Sequence, residues 1–221
     1  MAVVEVSAKE CRKELKFDMG KVHQGFSASC IENEDVCMDD YLEAYGELYN
    51  FFQLMGAVFG FVASDVKSKI EILEELRKGT EGDNFTTLKR MVKYESEAGL
   101  LKKSNYVSGC RTFLRLHRGL DFIRLFLQRV GELQNNDKTT TVCQEAYNET
   151  LAKFHPWIVR KGAIVAMYAL PTKDGFLQKV CGTPEEVARA LELLPQFLEV
   201  AKEAYDRADK VYSDNSLHDL P

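Results

Sequence analysis

Apolar positions recur at helical spacing along most of the chain. In the stretch from residue 109 onward, Phe113, Leu116, Leu120, Ile123 and Leu127 fall three or four residues apart, the stripe of an amphipathic helix running to about Leu133. Val22 to Ile31 reads as a short helix. Asp39 offers an N-cap to a longer, aromatic-rich run through Leu42, Tyr45, Leu48, Phe51, Phe52, Met55, Phe59 and Val62. Gly56 and Gly60 fall inside that run; they leave room for close approach to the backbone, either by a neighbouring helix or by a ligand. Ser64-Asp65 marks a restart or kink, and Ile70, Leu73 and Leu76 carry the pattern to a stop at Lys78-Gly79. Further helices are expected over Phe85–Leu100, from a Thr141 cap with Glu145 behind it, and over Trp157–Leu170, which is apolar enough to be central. A short helix around Phe176 and Leu177 comes next. Thr183-Pro184-Glu185-Glu186 then opens a long final helix, in which Pro195 should produce a kink. No segment alternates like a strand, and no Asn-Gly turn signals a hairpin. The pattern predicts an all-α protein of seven or eight helices.

Charge changes the picture at one place. Arg111, Arg115 and Arg118 sit at i, i+4 and i+7, so their guanidinium groups share a second face of the helix that carries the Phe113 stripe. Arginine keeps its charge at physiological pH, and its planar fork suits phosphate or carboxylate oxygens. Such a face either meets an anionic ligand or is a solvated stripe paired with acids of a neighbouring helix. The formal net charge of the 221 residues is −5, which argues against a dedicated nucleic-acid binder and makes any anion site a local patch. With 45% hydrophobic and 29% charged residues and no Pro/Gly/Ser-rich linker, the chain is expected to form one soluble domain over residues 1–221, its first 20 residues being a loosely packed lead-in. Cys11, Cys30, Cys37, Cys110, Cys143 and Cys181 lack C-x-x-C or zinc spacing, which reads as reduced cytosolic thiols with no metal site. The amino-terminal apolar run is too short for a signal peptide, and no stretch of about eighteen apolar residues could span a bilayer. A cytoplasmic location is expected.

Four stretches in order carry a more specific signal: Phe59-Gly-Phe-Val-Ala-Ser-Asp65-Val-Lys-Ser-Lys69; Arg111-Thr-Phe-Leu-Arg115-Leu-His-Arg-Gly-Leu-Asp-Phe-Ile123; Tyr147-Asn-Glu-Thr-Leu-Ala-Lys-Phe-His155-Pro-Trp157-Ile-Val-Arg160; and Ala169-Leu-Pro171. Together they resemble the glycolipid transfer protein superfamily over nearly the whole chain. The resemblance implies a two-layer all-α sandwich that holds the hydrocarbon chains of one sphingolipid between its layers. Glycolipid carriers of this type have Asp-x-x-x-Asn and a tryptophan platform for the sugar; here the asparagine position is Lys69 and the tryptophan position is Arg115. That exchange is similar to the ceramide-1-phosphate-carrying branch. By the same likeness Asp65, Lys69, Arg111, Arg115 and His155 are the expected head-group residues.

The resemblance further implies a non-enzymatic carrier of ceramide-1-phosphate, a monomer without cofactors, working in the cytosol with transient contact to Golgi, plasma or other membranes. Lys69, Arg111 and Arg115 would neutralise the phosphate. Asp65 would accept from the sphingoid amide and hydroxyl, and His155 would donate to the amide carbonyl. Phe52, Phe59, Val62, Phe122, Ile123, Phe126 and Val159 are expected to line the acyl-chain pocket. Trp157, Arg160 and Lys161 are a candidate membrane-docking edge, with a core position as the other reading of Trp157. A lipid sensor or scaffold that binds the same lipid and recruits a partner is the alternative function. No G-x-S-x-G, P-loop or metal-ligand cluster supports an enzyme.

Overall fold

The computed structural model describes residues 15–56 and 59–221. The lead-in as far as residue 14, and with it Cys11, lies outside the described residues. Among those described there are nine α-helices: α1 (Met19–Ser29), α2 (Met38–Leu54), α3 (Gly60–Lys78), α4 (Leu88–Glu97), α5 (Gly109–Glu132), α6 (Thr139–Thr150), α7 (Trp157–Met167), α8 (Lys173–Cys181) and α9 (Pro184–Asp214). A two-stranded antiparallel hairpin, β1 (Cys30–Ile31) with β2 (Asp35–Val36), links α1 to α2.

Helix α5 is central. Its stripe of Phe113, Leu116, Leu120, Ile123 and Leu127 is buried, and the helix packs against α3, α4, α6 and α9. Both ends are tied. At the amino end the wholly buried Glu95 carboxylate accepts from the Gly109 amide at 2.6 Å, the Cys110 amide at 3.2 Å, the Tyr106 hydroxyl at 3.1 Å and the Ser108 hydroxyl. At the carboxyl end the buried Lys173 ammonium donates to the Gly131 and Leu133 carbonyls at 2.9 and 2.6 Å. An anion at the positive end and a cation at the negative end both match the helix dipole and satisfy backbone groups that the helix itself leaves free. Two buried phenols add side-on ties, from Tyr45 to the Leu116 carbonyl and from Tyr212 to the Cys110 carbonyl at 2.7 Å. His117 stacks on Tyr205 with ring centroids 4.2 Å apart and bonds Asp209 through Nε2 at 3.3 Å. Burial holds this imidazole below its ordinary pKa. Its buried Nδ1 has no partner among the described residues, which fits a bare lone pair better than a stranded N–H.

Several element boundaries differ from the sequence pattern. The aromatic run after Asp39 is two helices, because Gly56 takes φ +112° and ends α2, whose carboxyl end receives the Lys179 ammonium on the Met55 carbonyl at 3.1 Å. Gly60 instead opens α3 with no atom near the space a side chain would fill. The close approach falls elsewhere: a Cβ on Gly25 of α1 would lie 2.9 Å from the Ala44 Cβ of α2. Asp39 lies in the first turn of α2, behind the Cys37 cap position, and pairs with Arg77 at 3.1 Å. Helix α4 begins at Leu88, with Thr87 capping Arg90, after a 3-10 turn over Gly82–Phe85. Helix α6 begins before Thr141, as Thr139 bonds the Pro171 carbonyl, and Glu145 faces Arg129 at 3.8 Å. The α9 capping box of Thr183 and Glu186 forms as its sequence suggests, and the helix is continuous through Pro195.

The largest correction concerns α7. It is apolar but not central: Trp157, Ile158, Val165 and Tyr168 are each more than 60% exposed, and only Ala163, Ala166 and Met167 are buried. Uniform apolarity carries no period, so it could not distinguish a core helix from one with an oily outer face.

The Glu95 knot supplies a direct test. Glu95→Ala strands four donors in the interior and is expected to cost on the order of 3 kcal/mol, lowering the thermal midpoint by roughly 6–12 °C. A calorimetric midpoint within about 1 °C of wild type would contradict the anchoring role of Glu95 at α5.

Candidate functional site

A cavity of about 650 Å³ is lined by residues of α2, α3, α5, α6, α7 and the turn between α6 and α7. Its depth is apolar, lined by Phe52, Phe59, Val62, Phe122, Ile123 and Val159 together with Leu116, Ala163 and Met167. Phe126 is outside this lining. It lies one turn further along α5, in edge contact with Phe176 at a centroid distance of 5.5 Å, and belongs to the closed core.

The mouth is polar and cationic. Asp65 and Lys69 of α3, Arg115 and Arg118 of α5, and His155 before α7 all line it. Lys69 is clasped to Asp65, four residues earlier on the same helix face, and its side chain is mostly covered while the carboxylate is open. Arg115 is exposed and donates to the Pro221 backbone oxygen at 3.2 Å. Arg118 lies over the Phe154 ring at 3.9 Å and donates to the His218 carbonyl at 2.6 Å. Among the side chains of the lining, three cations thus accompany one carboxylate around a part-closed oily slot.

Arg111 is not part of this lining. Its guanidinium turns away to the Tyr106 carbonyl and to the Lys103 carbonyl at 3.3 Å, bracing the loop that enters α5. Arg118, the third member of the same stripe, takes a place at the mouth that the matching motifs did not assign to it.

Burial, then the Lys69 charge, lowers the His155 pKa against an opposing pull from Asp65; burial is the largest of the three causes. The ring is therefore neutral near pH 7 and has one N–H to give. Its Nδ1 is 2.8 Å from the Tyr147 hydroxyl, whose own pKa burial raises, so the phenol keeps its proton. The sequence pattern does not single out Tyr147: an aromatic at core spacing on α6 gives no sign that its hydroxyl will meet a histidine eight residues later.

Outside the mouth, α7 presents Trp157, Ile158, Val165 and Tyr168 to solvent on a face that also carries Lys161, 5.9 Å from the Trp157 ring. Arg160 is exposed beside it, and Phe61 of α3 is half exposed nearby in the cavity lining. A second, more open cleft of about 800 Å³ near Phe17 and Arg189 is lined by charges of both signs, among them Lys16 and Glu186 paired at 3.1 Å. No group of three or more His, Cys, Asp or Glu among the described residues could hold a metal, and no described helix is long and apolar enough to cross a membrane.

Comparison with known proteins agrees with this architecture. The family model for glycolipid transfer protein (GLTP) matches residues 36–182. A protein of Xenopus laevis named ceramide-1-phosphate transfer protein is 41% identical over 215 residues, covering 94% of this chain and 98% of the relative. The crystal structure of mouse ceramide-1-phosphate transfer protein in its apo form superposes with a TM-score of 0.86 at 37% identity, covering 93% of this chain and all of that one. The human ceramide-1-phosphate transfer protein in complex with 2:0 ceramide-1-phosphate gives a TM-score of 0.83 at 34% identity, again over 93% of this chain and all of the other. The nine helices make the two-layer sandwich that the sequence motifs led us to expect. On the family match, the near-complete coverage and the shared fold, the chain belongs to the glycolipid transfer protein family.

Proposed function

We propose that the protein carries ceramide-1-phosphate between membranes as a monomer, without altering it chemically. The observation that carries this reading is the gathering of three cationic side chains, Lys69, Arg115 and Arg118, with the Asp65 carboxylate at the mouth of an apolar slot. A phosphate monoester brings about −1.5 to −2 charges near neutral pH, which cations so placed can meet. An uncharged sugar would cover Arg115 and Arg118 without bringing a charge to meet them, a penalty rather than a gain.

Each residue then has a task. Arg115 and Arg118 exchange backbone oxygens for phosphate oxygens, a change from bonds in which only the donor is charged to bonds in which both partners are. Lys69 adds a mobile point charge, and Arg111 serves the phosphate indirectly by bracing the start of α5. Asp65 accepts from the amide N–H and hydroxyl of the sphingoid backbone, and the neutral His155 ring donates to the amide carbonyl. None of these is a nucleophile with an adjacent base, so the lipid leaves as it entered.

Energetics explain why a protein is needed. Exposing two long hydrocarbon chains to water costs ~0.8 kcal/mol per methylene, so unassisted escape from a bilayer faces a barrier on the order of 20 kcal/mol. The slot exchanges one oily environment for another, and selectivity is left to the head group. The exposed face of α7, with Trp157, Ile158, Arg160 and Lys161, suits shallow insertion at a membrane surface, where aromatic rings favour the interface and cations favour anionic lipid. These properties fit a cytosolic shuttle that touches cytoplasmic membrane faces briefly.

Two measurements test this. Arg115 is exposed, so Arg115→Leu should leave the fold intact while reducing ceramide-1-phosphate transfer between vesicles by about tenfold or more, the worth of a charge-assisted bond. Transfer at the wild-type rate would contradict the head-group assignment. Trp157→Ala should weaken sedimentation with phosphatidylserine-containing vesicles by about fivefold or more while leaving lipid affinity in detergent unchanged. Unaltered sedimentation would remove α7 from the docking surface.

A further inference from the structure

We infer that Tyr147 is a positioning residue: its hydroxyl donates to His155 Nδ1, which fixes the imidazole as the Nε2–H tautomer and turns that N–H into a dedicated donor for the amide carbonyl of the bound lipid. The inference rests on the reading of the cavity as a ceramide-1-phosphate site.

The hydroxyl and Nδ1 are 2.8 Å apart, and the two rings are tilted 35° with centroids 5.7 Å apart, so the contact is a hydrogen bond rather than a ring stack. Either group could give the proton. The surroundings decide the direction. Tyr147 is buried, its ring in edge contact with Phe122, and the histidine is the partner its hydroxyl has among the described residues. If Nδ1–H donated, the phenolic hydrogen would have no acceptor among the described residues of the cavity lining, which costs more than an unused lone pair. A phenol is also the stronger acid of the two and the better donor. With Nδ1 accepting, the proton of the neutral ring must be on Nε2.

The consequence is a division of labour. Asp65 offers only acceptors, and the His155 ring only a donor, so the site is matched to the secondary amide of a ceramide, which has both an N–H and a carbonyl. A ring free to change tautomer or flip would present a lone pair to that carbonyl part of the time. Tyr147 suppresses this state, as outer partners do for histidines that bind metals.

The test uses Tyr147→Phe, which keeps the ring and its packing. In the lipid-free protein, two-bond ¹⁵N–¹H correlation spectra of the His155 ring should show the Nε2–H pattern in wild type and a mixture or rapid exchange in the variant. Affinity for ceramide-1-phosphate should fall about fivefold in the variant, and the same change made in a His155→Leu background should have no further effect. An unchanged ring spectrum with unchanged affinity would overturn the inference. So would a loss of affinity that persists undiminished in the His155→Leu background, because Tyr147 would then act by packing alone. Wild-type protein that shows the Nε2–H ring but takes up no ceramide-1-phosphate would overturn the functional reading and the donor role with it, while the spectrum would still have identified the tautomer.

Discussion

Everything at the mouth of the cavity is referenced to the anchoring of α5. A buried carboxylate at one end and a buried ammonium at the other hold this helix against both its dipole and its unpaired backbone groups. Burying two unlike charges far apart would be costly if either stood alone; here the carboxylate accepts four hydrogen bonds and the ammonium donates two. With its ends fixed, α5 can present two different faces without rolling. One face is the Phe113 to Leu127 stripe of the core, and the other carries arginines to the mouth. The side-on hydrogen bonds from Tyr45 and Tyr212 resist the same rotation.

Much of this could be read from the residues. The 3.6-residue period of α5, the coincidence of its arginines on a second face, the Thr183–Glu186 capping box and the acid-then-lysine pair at Asp65 and Lys69 are local patterns, and local patterns survive into the fold. What escaped depended on long-range contacts. The β1–β2 hairpin turns through Glu32-Asn33-Glu34, without the Asn-Gly pair that would signal it. Asn33 and Glu34 take positive φ while Arg207 donates to the Ile31 and Asp35 carbonyls, and the Asp35 carboxylate accepts the Lys89 amide. The diversion of Arg111 from the cavity comes from how the 103–106 loop closes, which spacing on a helix cannot reveal. Phe126 and Phe122 are one turn apart on the same stripe, yet one meets Phe176 and the other faces the slot.

The division between slot and mouth is also a division of energetic roles. Hydrocarbon packing is non-directional and scales with area, so it can hold many lipids with two chains of suitable length. Charge and hydrogen-bond direction are concentrated in a few side chains, and these can tell one head group from another. Lipid exchange needs both, because a carrier that bound its cargo by charge alone would have no shelter for the chains, and one that bound by oil alone would carry indiscriminately. On the proposed function, the outward apolar face of α7 would give the same molecule a place to touch a bilayer.

Selection of a phosphate over a neutral sugar by the cations at the mouth is the point on which the functional reading turns. It is tested most directly by timing the exchange of two lipids by the wild-type protein between vesicles, ceramide-1-phosphate and glucosylceramide with identical chains. The phosphorylated lipid is expected to move faster by more than about tenfold, since charge-assisted bonds are gained by one and desolvated cations are left by the other. Equal rates, or faster movement of the sugar lipid, would contradict it.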